Sequence, residues 1–177
     1  MLLMTKQLYF VRHGESELNV ASRWAGHTET PLTAKGRRQA AKAGKQAKAL
    51  GIQHIISSPL GRAHETAKII AREIGYPAKD IELNSLFIER NFGPLEGEPW
   101  EPDLNLDGIA DIETVDSMLE RAKLGVEHLA QLEADIILVV SHGTFGRAIR
   151  TVLHPEVPLE LSNPASRFQN GEIVLFI

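Results

Sequence analysis

The sequence predicts an α/β protein, a largely parallel sheet covered by helices on both faces in a three-layer helix/sheet/helix sandwich. Two observations carry this. The runs Leu8-Tyr9-Phe10-Val11 and Ile136-Ile137-Leu138-Val139-Val140 are almost continuously apolar, as expected of strands covered on both faces. Strand-like runs also alternate with helical patterns, the order that right-handed crossovers and a parallel sheet require. With 177 residues, 43% of them hydrophobic, the chain suits one well-cored domain over residues 1–177.

Each element has its own local signal. After the first strand, Thr33 can cap a helix that runs to about Leu50 and is closed by Gly51, with Ala40, Ala43 and Ala47 on a small-residue face suited to close packing. His54–Ser57 reads as a short strand, and Pro59 as the first residue of a helix reaching about Ile74. Ala63, Ala67, Ile70 and Ile74 recur along that helix at helical spacing, and Gly75 and Pro77 end it. Ile81-Glu82-Leu83 is a weak third strand. From Phe92 to Ile112 the chain is rich in Gly, Pro and acidic residues and reads as an irregular loop over one end of the sheet. Thr114 caps a helix to about Gln131 with Val115, Met118, Ala122, Val126 and Leu129 on one face. Asp135–Val140 is the clearest buried strand, a helix with Phe145, Ala148, Ile149 and Val152 inward follows it, and Glu172–Ile177 supplies a last strand.

Composition narrows the function. The net charge is −4 and the charges are interspersed, so no basic face tracks a nucleic acid backbone. There is no cysteine, which excludes disulfides and thiolate chemistry. Met1-Leu2-Leu3-Met4 is too short for a signal-peptide core, and no apolar run approaches a membrane span. A cytoplasmic protein without membrane attachment is the expectation.

The strand ends concentrate the chemistry. In open α/β sheets ligands bind beyond the carboxyl ends of the strands. The two strongest strands end in His13-Gly14 and His142-Gly143, so as parallel neighbours they would deliver both imidazoles to one edge. Arg12 stands beside His13, and Gly14 suits close approach of backbone to a bound group or a turn with positive φ. Ser57-Ser58-Pro59-Leu60-Gly61-Arg62 puts Arg62 in the first turn of a helix, whose free N–H groups also favour anions. Taken singly, His142 could merely start a helix, and Arg62 could pair with Glu65 or Glu89. Together two histidines and two arginines at one edge make an anion site.

Phosphoryl transfer suits this set, because it needs positioning and charge stabilisation more than anything else. Arginine forks match phosphoryl oxygens, and a largely neutral histidine can attack phosphorus. The leaving alkoxide then needs a nearby acid.

Arg12-His13-Gly14-Glu15, Asn19, Gly26 with Pro31-Leu32-Thr33, Ser57-Ser58-Pro59-Leu60 with Arg62-Ala63 and Thr66-Ala67, Glu89 with Asn91-Phe92-Gly93 and Leu95-Glu96-Gly97, and Ser141-His142-Gly143 together resemble the histidine phosphatase superfamily, also called phosphoglycerate mutase-like. The pieces match in order from residue 8 to about 150. The resemblance implies a mixed, mostly parallel sheet between helices, a transiently phosphorylated His13, and phosphoryl oxygens held by Arg12, Arg62 and His142. It further implies Glu89 as proton donor, phosphate contacts from Asn19 and the Gly143 N–H, and no metal or other cofactor.

Only residues 90–141 separate Glu89 from His142, and one helix and one strand consume much of that span. Mutases that resemble this chain carry a long enclosing insertion there, so hydrolysis of a phosphohistidine is expected over mutase activity. The acidic residues Glu96, Glu98, Glu101, Asp103 and Asp107 argue against a highly anionic substrate. Trp24, His27, Phe92 and Trp100 are candidates for a pocket wall against packing roles, and Ser162–Ser166 for approach to the site. His54, His64, His128 and His154 are read as structural or exposed. The expected partner is a small phosphorylated molecule, with a phosphoprotein possible; substrate and oligomeric state stay open. A cofactor-dependent phosphoglycerate mutase, a non-catalytic phospholigand-binding or signalling domain, and a metal-dependent hydrolase are the alternatives. No His-x-His or His-Glu-x-x-His spacing supports the last.

Overall fold

The computed structural model describes residues 5–101, 104–106, 108–161 and 163–177. Five strands, β1 (Gln7–Arg12), β2 (His54–Ser57), β3 (Glu82–Leu83), β4 (Ile136–Ser141) and β5 (Ile173–Leu175), form one sheet in the order β3-β2-β4-β1-β5. The first four are parallel, and β5 alone runs antiparallel, against β1. The apolar runs of β1 and β4 are central because both of their faces are covered.

One face carries α4 (Val115–Gln131) and α5 (Gly143–Leu153) over Phe10, Ile56, Ile137 and Val139. The other carries α2 (Ala34–Ala47) and α3 (Gly61–Ile74) over Val11, Ile55, Leu138 and Val140. Complete burial of Phe10 contributes ~2 kcal/mol. Ala40, Ala43 and Ala47 of α2 are all buried, which bears out the small-residue face expected for close packing.

Thr33 caps α2 through the Gly36 N–H and Thr114 caps α4 through the Ser117 N–H. The last strand is confined to Ile173–Leu175 within the expected Glu172–Ile177, and two helix boundaries differ from expectation. Helix α2 stops at Ala47 rather than Leu50, because the Leu50 N–H turns back to the Ala47 carbonyl at 3.0 Å. Helix α3 starts at Gly61 rather than Pro59, and its cap comes from far along the chain: both Glu29 carboxylate oxygens accept from the Gly61 N–H, at 3.1 and 3.0 Å. A short helix unmarked in the sequence reading, α1 (Glu17–Val20), follows β1 behind a capping box of Ser16 and Asn19.

Gly14 is required for a different reason from the one expected. Its φ is not positive, and a Cβ there would collide with the Gly36 carbonyl oxygen, while one on Gly36 would collide with the Glu15 carbonyl. The paired glycines let the start of α2 sit against the loop after β1. Close approach is needed, but to protein backbone.

Candidate active site

Strands β1 and β4 pair in register, Arg12 opposite Ser141, so His13 and His142 leave the sheet together. The His13 N–H donates to the Ser141 carbonyl at 2.9 Å, which extends the ladder one residue past the strand. The two rings lie edge to face with centroids 5.1 Å apart. Parallel pairing thus does what the two His-Gly strand ends require.

His13 is buried, with Nδ1 2.7 Å from the Gly14 carbonyl oxygen. A carbonyl can only accept, so Nδ1 carries the proton and Nε2 keeps its lone pair. Arg62 Nε donates to that Nε2 at 3.3 Å. Burial, with the Arg62 and Arg12 guanidiniums close by, holds the imidazole well below the usual histidine range. Arg62, 1% exposed, is anchored at its other end, where Nη2 donates to the Gly26 carbonyl at 2.7 Å and Nη1 to the Thr28 carbonyl at 3.0 Å.

His142 is also buried, its Nε2 2.8 Å from Ser58 Oγ. Its Nδ1 has no hydrogen-bond partner among the described residues. Burial, then the Arg62 charge, the adjoining His13 ring and the Arg12 charge, hold this imidazole well below its ordinary range too.

Glu89 lies in the chain after β3 and is seated on the start of α5. Oε1 accepts from the N–H groups of Phe145 and Arg90, both at 2.9 Å, and Oε2 from Thr144 N–H at 3.2 Å. A carboxylate at a helix N-terminus meets both free donors and the favourable end of the dipole. Arg121 from α4 secures the approach, with Nη1 donating to the carbonyls of Leu86 and Ile88 at 2.9 and 2.8 Å, and His27 Nε2 donates to the Glu89 carbonyl at 2.8 Å.

Arg12 donates from Nη1 to the Phe168 carbonyl at 2.9 Å, while its buried Nε has no partner among the described residues. A Cβ on Gly143 would stand 3.3 Å from that Nε, so glycine lets the guanidinium lie against the start of α5. Asn19 Oδ1 accepts from the Ser16 N–H at 3.1 Å and from Asn170 Nδ2 at 3.3 Å, which turns its amide N–H₂ into the available end. Arg12, His13, Asn19, Arg62, Glu89 and Gly143 line a cavity of about 650 Å³, and His142 stands behind that lining.

Residues 8–175 match the profile of the Histidine phosphatase superfamily (branch 1). The chain belongs to this superfamily. Over 163 residues it is 39% identical to the probable phosphoglycerate mutase GpmB of Escherichia coli (strain K12 / DH10B), covering 83% of this chain and 74% of that protein. Among solved structures it is similar to YhfR of Bacillus stearothermophilus (TM-score 0.83, 26% identity, covering 96% of this chain and 90% of that one). It is also similar to a phosphoserine phosphatase of Entamoeba histolytica solved with phosphoserine (TM-score 0.77, 27% identity, covering 95% and 88%). The mixed, mostly parallel sheet between helices is the architecture these histidine phosphatase relatives share.

Within this superfamily member the structure brings His13, His142, Arg12, Arg62, Glu89, Asn19 and Gly143 to one sheet edge. Of the alternative partners for Arg62, Glu65 pairs with Arg37 instead, at 2.7 Å, while Glu89 acts on the guanidinium through its charge. Trp24, Phe92 and Trp100 do line the cavity, packed with centroids 4.6 and 6.3 Å from Trp24, whereas His27 is not part of the wall. The expectation that acidic residues oppose an anionic ligand is corrected. Glu98 and Glu101 are exposed, and neither they nor Glu96 line the cavity; Asp103 and Asp107 lie outside the described residues. The lining instead holds six arginines, Arg12, Arg23, Arg62, Arg90, Arg147 and Arg167, against the carboxylates of Glu15 and Glu89.

Leu161 and Arg167 bring the segment before β5 to the cavity, with Arg167 stacked 4.4 Å over Trp100. Ser166 does not line the cavity; its hydroxyl donates to the carbonyls of Glu160 and Asn163 at 2.7 and 2.8 Å and accepts from the Arg147 guanidinium at 3.5 Å, and Ser162 lies outside the described residues. Arg147 was missed by sequence reading. It sits one turn past Gly143, its buried Nε has no partner among the described residues, and burial pushes it down to about 10. Its spacing of five residues from His142 was the one available signal. Ser58, by contrast, lay within a quoted motif without a role. Among the described residues no group of three or more His, Asp or Glu side chains is placed to hold a metal ion, and no helix is long and apolar enough to cross a membrane.

Proposed function

We propose that this protein is a phosphatase that hydrolyses a phosphomonoester through a phosphohistidine on His13, without a metal. The observation that carries the reading is the state of His13, buried and proton-poor, with Nδ1–H tied to the Gly14 carbonyl and Nε2 facing Arg62.

In the first step the Nε2 lone pair attacks phosphorus and the bond from phosphorus to the leaving oxygen breaks. Arg12, Arg62, the Asn19 amide and the Gly143 N–H hold the phosphoryl oxygens, where charge is spread. The Ser58 hydroxyl donates a hydrogen bond to His142 Nε2, which fixes the proton of that ring on Nδ1 and makes Nδ1–H a further donor to the phosphoryl group. Glu89, entering this step as its carboxylic acid, gives its proton to the departing alkoxide and is left as the carboxylate that the second step needs. In the second step water attacks phosphorus and the P–N bond breaks, returning its electrons to Nε2. Glu89 takes the water's proton, and inorganic phosphate leaves.

The test is a panel of phosphomonoesters on wild type and His13→Ala, with quenched samples examined for an acid-labile, base-stable phosphoenzyme. Wild-type turnover and phosphoenzyme, both lost in His13→Ala, are expected; activity surviving in His13→Ala defeats the mechanism, and turnover abolished by chelators defeats its metal independence. Tight phosphate binding without turnover of any ester would mean a phospholigand-binding domain instead. A mutase reading is favoured by the kinship to GpmB, named a probable phosphoglycerate mutase. Incubation with 3-phosphoglycerate and a bisphosphoglycerate primer separates the two, since a mutase yields 2-phosphoglycerate and a phosphatase yields inorganic phosphate.

A further inference from the structure

The carboxylate of Glu96 accepts four hydrogen bonds. Oε1 takes the N–H groups of His27 and Phe92, at 2.9 and 3.1 Å, and Oε2 takes the Thr28 N–H and hydroxyl, both at 2.8 Å. Three of the four come from one short stretch, His27-Thr28. Gly26, just before it, has φ 47°, and a Cβ there would overlap the Glu96 carboxylate. The stretch and the carboxylate are therefore built against each other.

The segment Gly26–Thr28 also supplies the two carbonyls, those of Gly26 and Thr28, that hold the Nη ends of Arg62. A guanidinium is planar and rigid, so two contacts at its far end fix the direction of Nε. Arg62 Nε is the group aimed at His13 Nε2. We infer that Glu96 is a positioning residue, whose carboxylate sets the Gly26 and Thr28 carbonyls and through them aims Arg62 at the His13 nucleophile. This rests on the reading of His13 given above. Glu96 lies outside the cavity wall and so acts on His13 through Arg62. Its charge also helps keep the buried Arg62 guanidinium charged, alongside Glu89 and Glu29.

The relay can be read without turnover. The charged and titratable groups around His13 are Arg12 on its own strand, Arg62 from α3 and His142 at the start of α5. Because Arg62 holds the His13 imidazole down, letting Arg62 swing away moves that imidazole's titration upward. Glu96→Gln keeps the size of the side chain but replaces one accepting oxygen by a donor; Glu96→Ala removes both acceptor oxygens and with them all four hydrogen bonds, and the N–H groups of the exposed His27 and Thr28 can turn to water. Glu98→Gln, an exposed carboxylate two residues on, is the control.

Imidazole NMR titration of His13 in each variant is expected to show a higher midpoint in Glu96→Gln and Glu96→Ala than in wild type and Glu98→Gln. With a phosphomonoester, kcat/KM should fall ~10- to 100-fold, the cost of a misplaced clamp, and its acid limb should move up with the NMR midpoint. Mere loss of folded protein lowers amplitude and leaves the midpoint in place. An unmoved His13 midpoint in both Glu96 variants overturns the relay even if activity falls. A wild type that turns over no phosphomonoester would instead sink the enzymatic reading, leaving the NMR result to judge the relay by itself.

Discussion

Ser58 Oγ lies 2.8 Å from His142 Nε2, and one hydroxyl from the end of β2 thereby orients the imidazole that leaves β4. The same Oγ accepts the Leu60 N–H at 3.3 Å, so it is itself held in place. Ser58→Ala should free the ring and cost about 1 kcal/mol of transition-state binding, roughly fivefold in kcat/KM. ¹⁵N chemical shifts of the His142 ring nitrogens would report the lost tautomer preference; unchanged shifts would show that Ser58 does not set it.

Glu89 as proton donor predicts a dependence on the leaving group. Glu89→Gln keeps an oxygen to accept from the first turn of α5 but cannot give up a proton. Its kcat/KM should fall by ~10²–10⁴ for an alkyl phosphate and by much less for a nitrophenyl phosphate, whose leaving oxygen needs no proton. Equal losses for the two esters would remove Glu89 from that role.

The depressed histidines predict the pH profile. Protonation of His13 removes the attacking lone pair, so kcat/KM should hold from pH 7 down through 6.5 and fall only below it. Stability follows the same groups. The unfolded chain takes up protons on His13 and His142 near 6.5, whereas the folded chain resists until its lower values are reached. Folding stability contributed by the neutral imidazoles is therefore complete above about pH 6.5 and is lost as pH falls through the folded-state values. Thermal unfolding between pH 7 and pH 5 should show Tm decreasing, and less steeply in His13→Ala.

Gly14→Ala should destabilise the protein by ~1–3 kcal/mol, the usual cost of forcing a methyl into filled space, because the new Cβ meets the Gly36 carbonyl. Denaturant unfolding measures this. A neutral result would mean that α2 can withdraw from the loop after β1 at little cost.

Much of the candidate site was legible because parallel strands bring their carboxyl ends to one edge. Arg12, His13 and His142 follow directly from two apolar runs, and Arg62 from a helix start beside a third. Glu89 was placed by resemblance alone, since nothing local marks it; its seat on the N–H groups of Thr144 and Phe145 exists only once α5 is formed. Glu96 shows the opposite failure. Its place among acidic residues suggests only opposition to an anionic substrate, yet this carboxylate is taken up by backbone donors 69 and 68 residues earlier in the chain, at His27 and Thr28. Arg147 and Arg167 were invisible as a pair because they are brought to the cavity by a helix and by the segment before an antiparallel edge strand.

By itself the sequence determined the α/β class, the paired histidine strand ends and the arginines beside them, because periodicity and strand burial are local properties. Tertiary structure alone decided which nitrogen of His13 is free, what orients His142, and how Arg62 is aimed. Those outcomes depend on single hydrogen bonds between residues distant in the chain, and such bonds need donors and acceptors within about 3 Å, a condition that only the closed fold can meet.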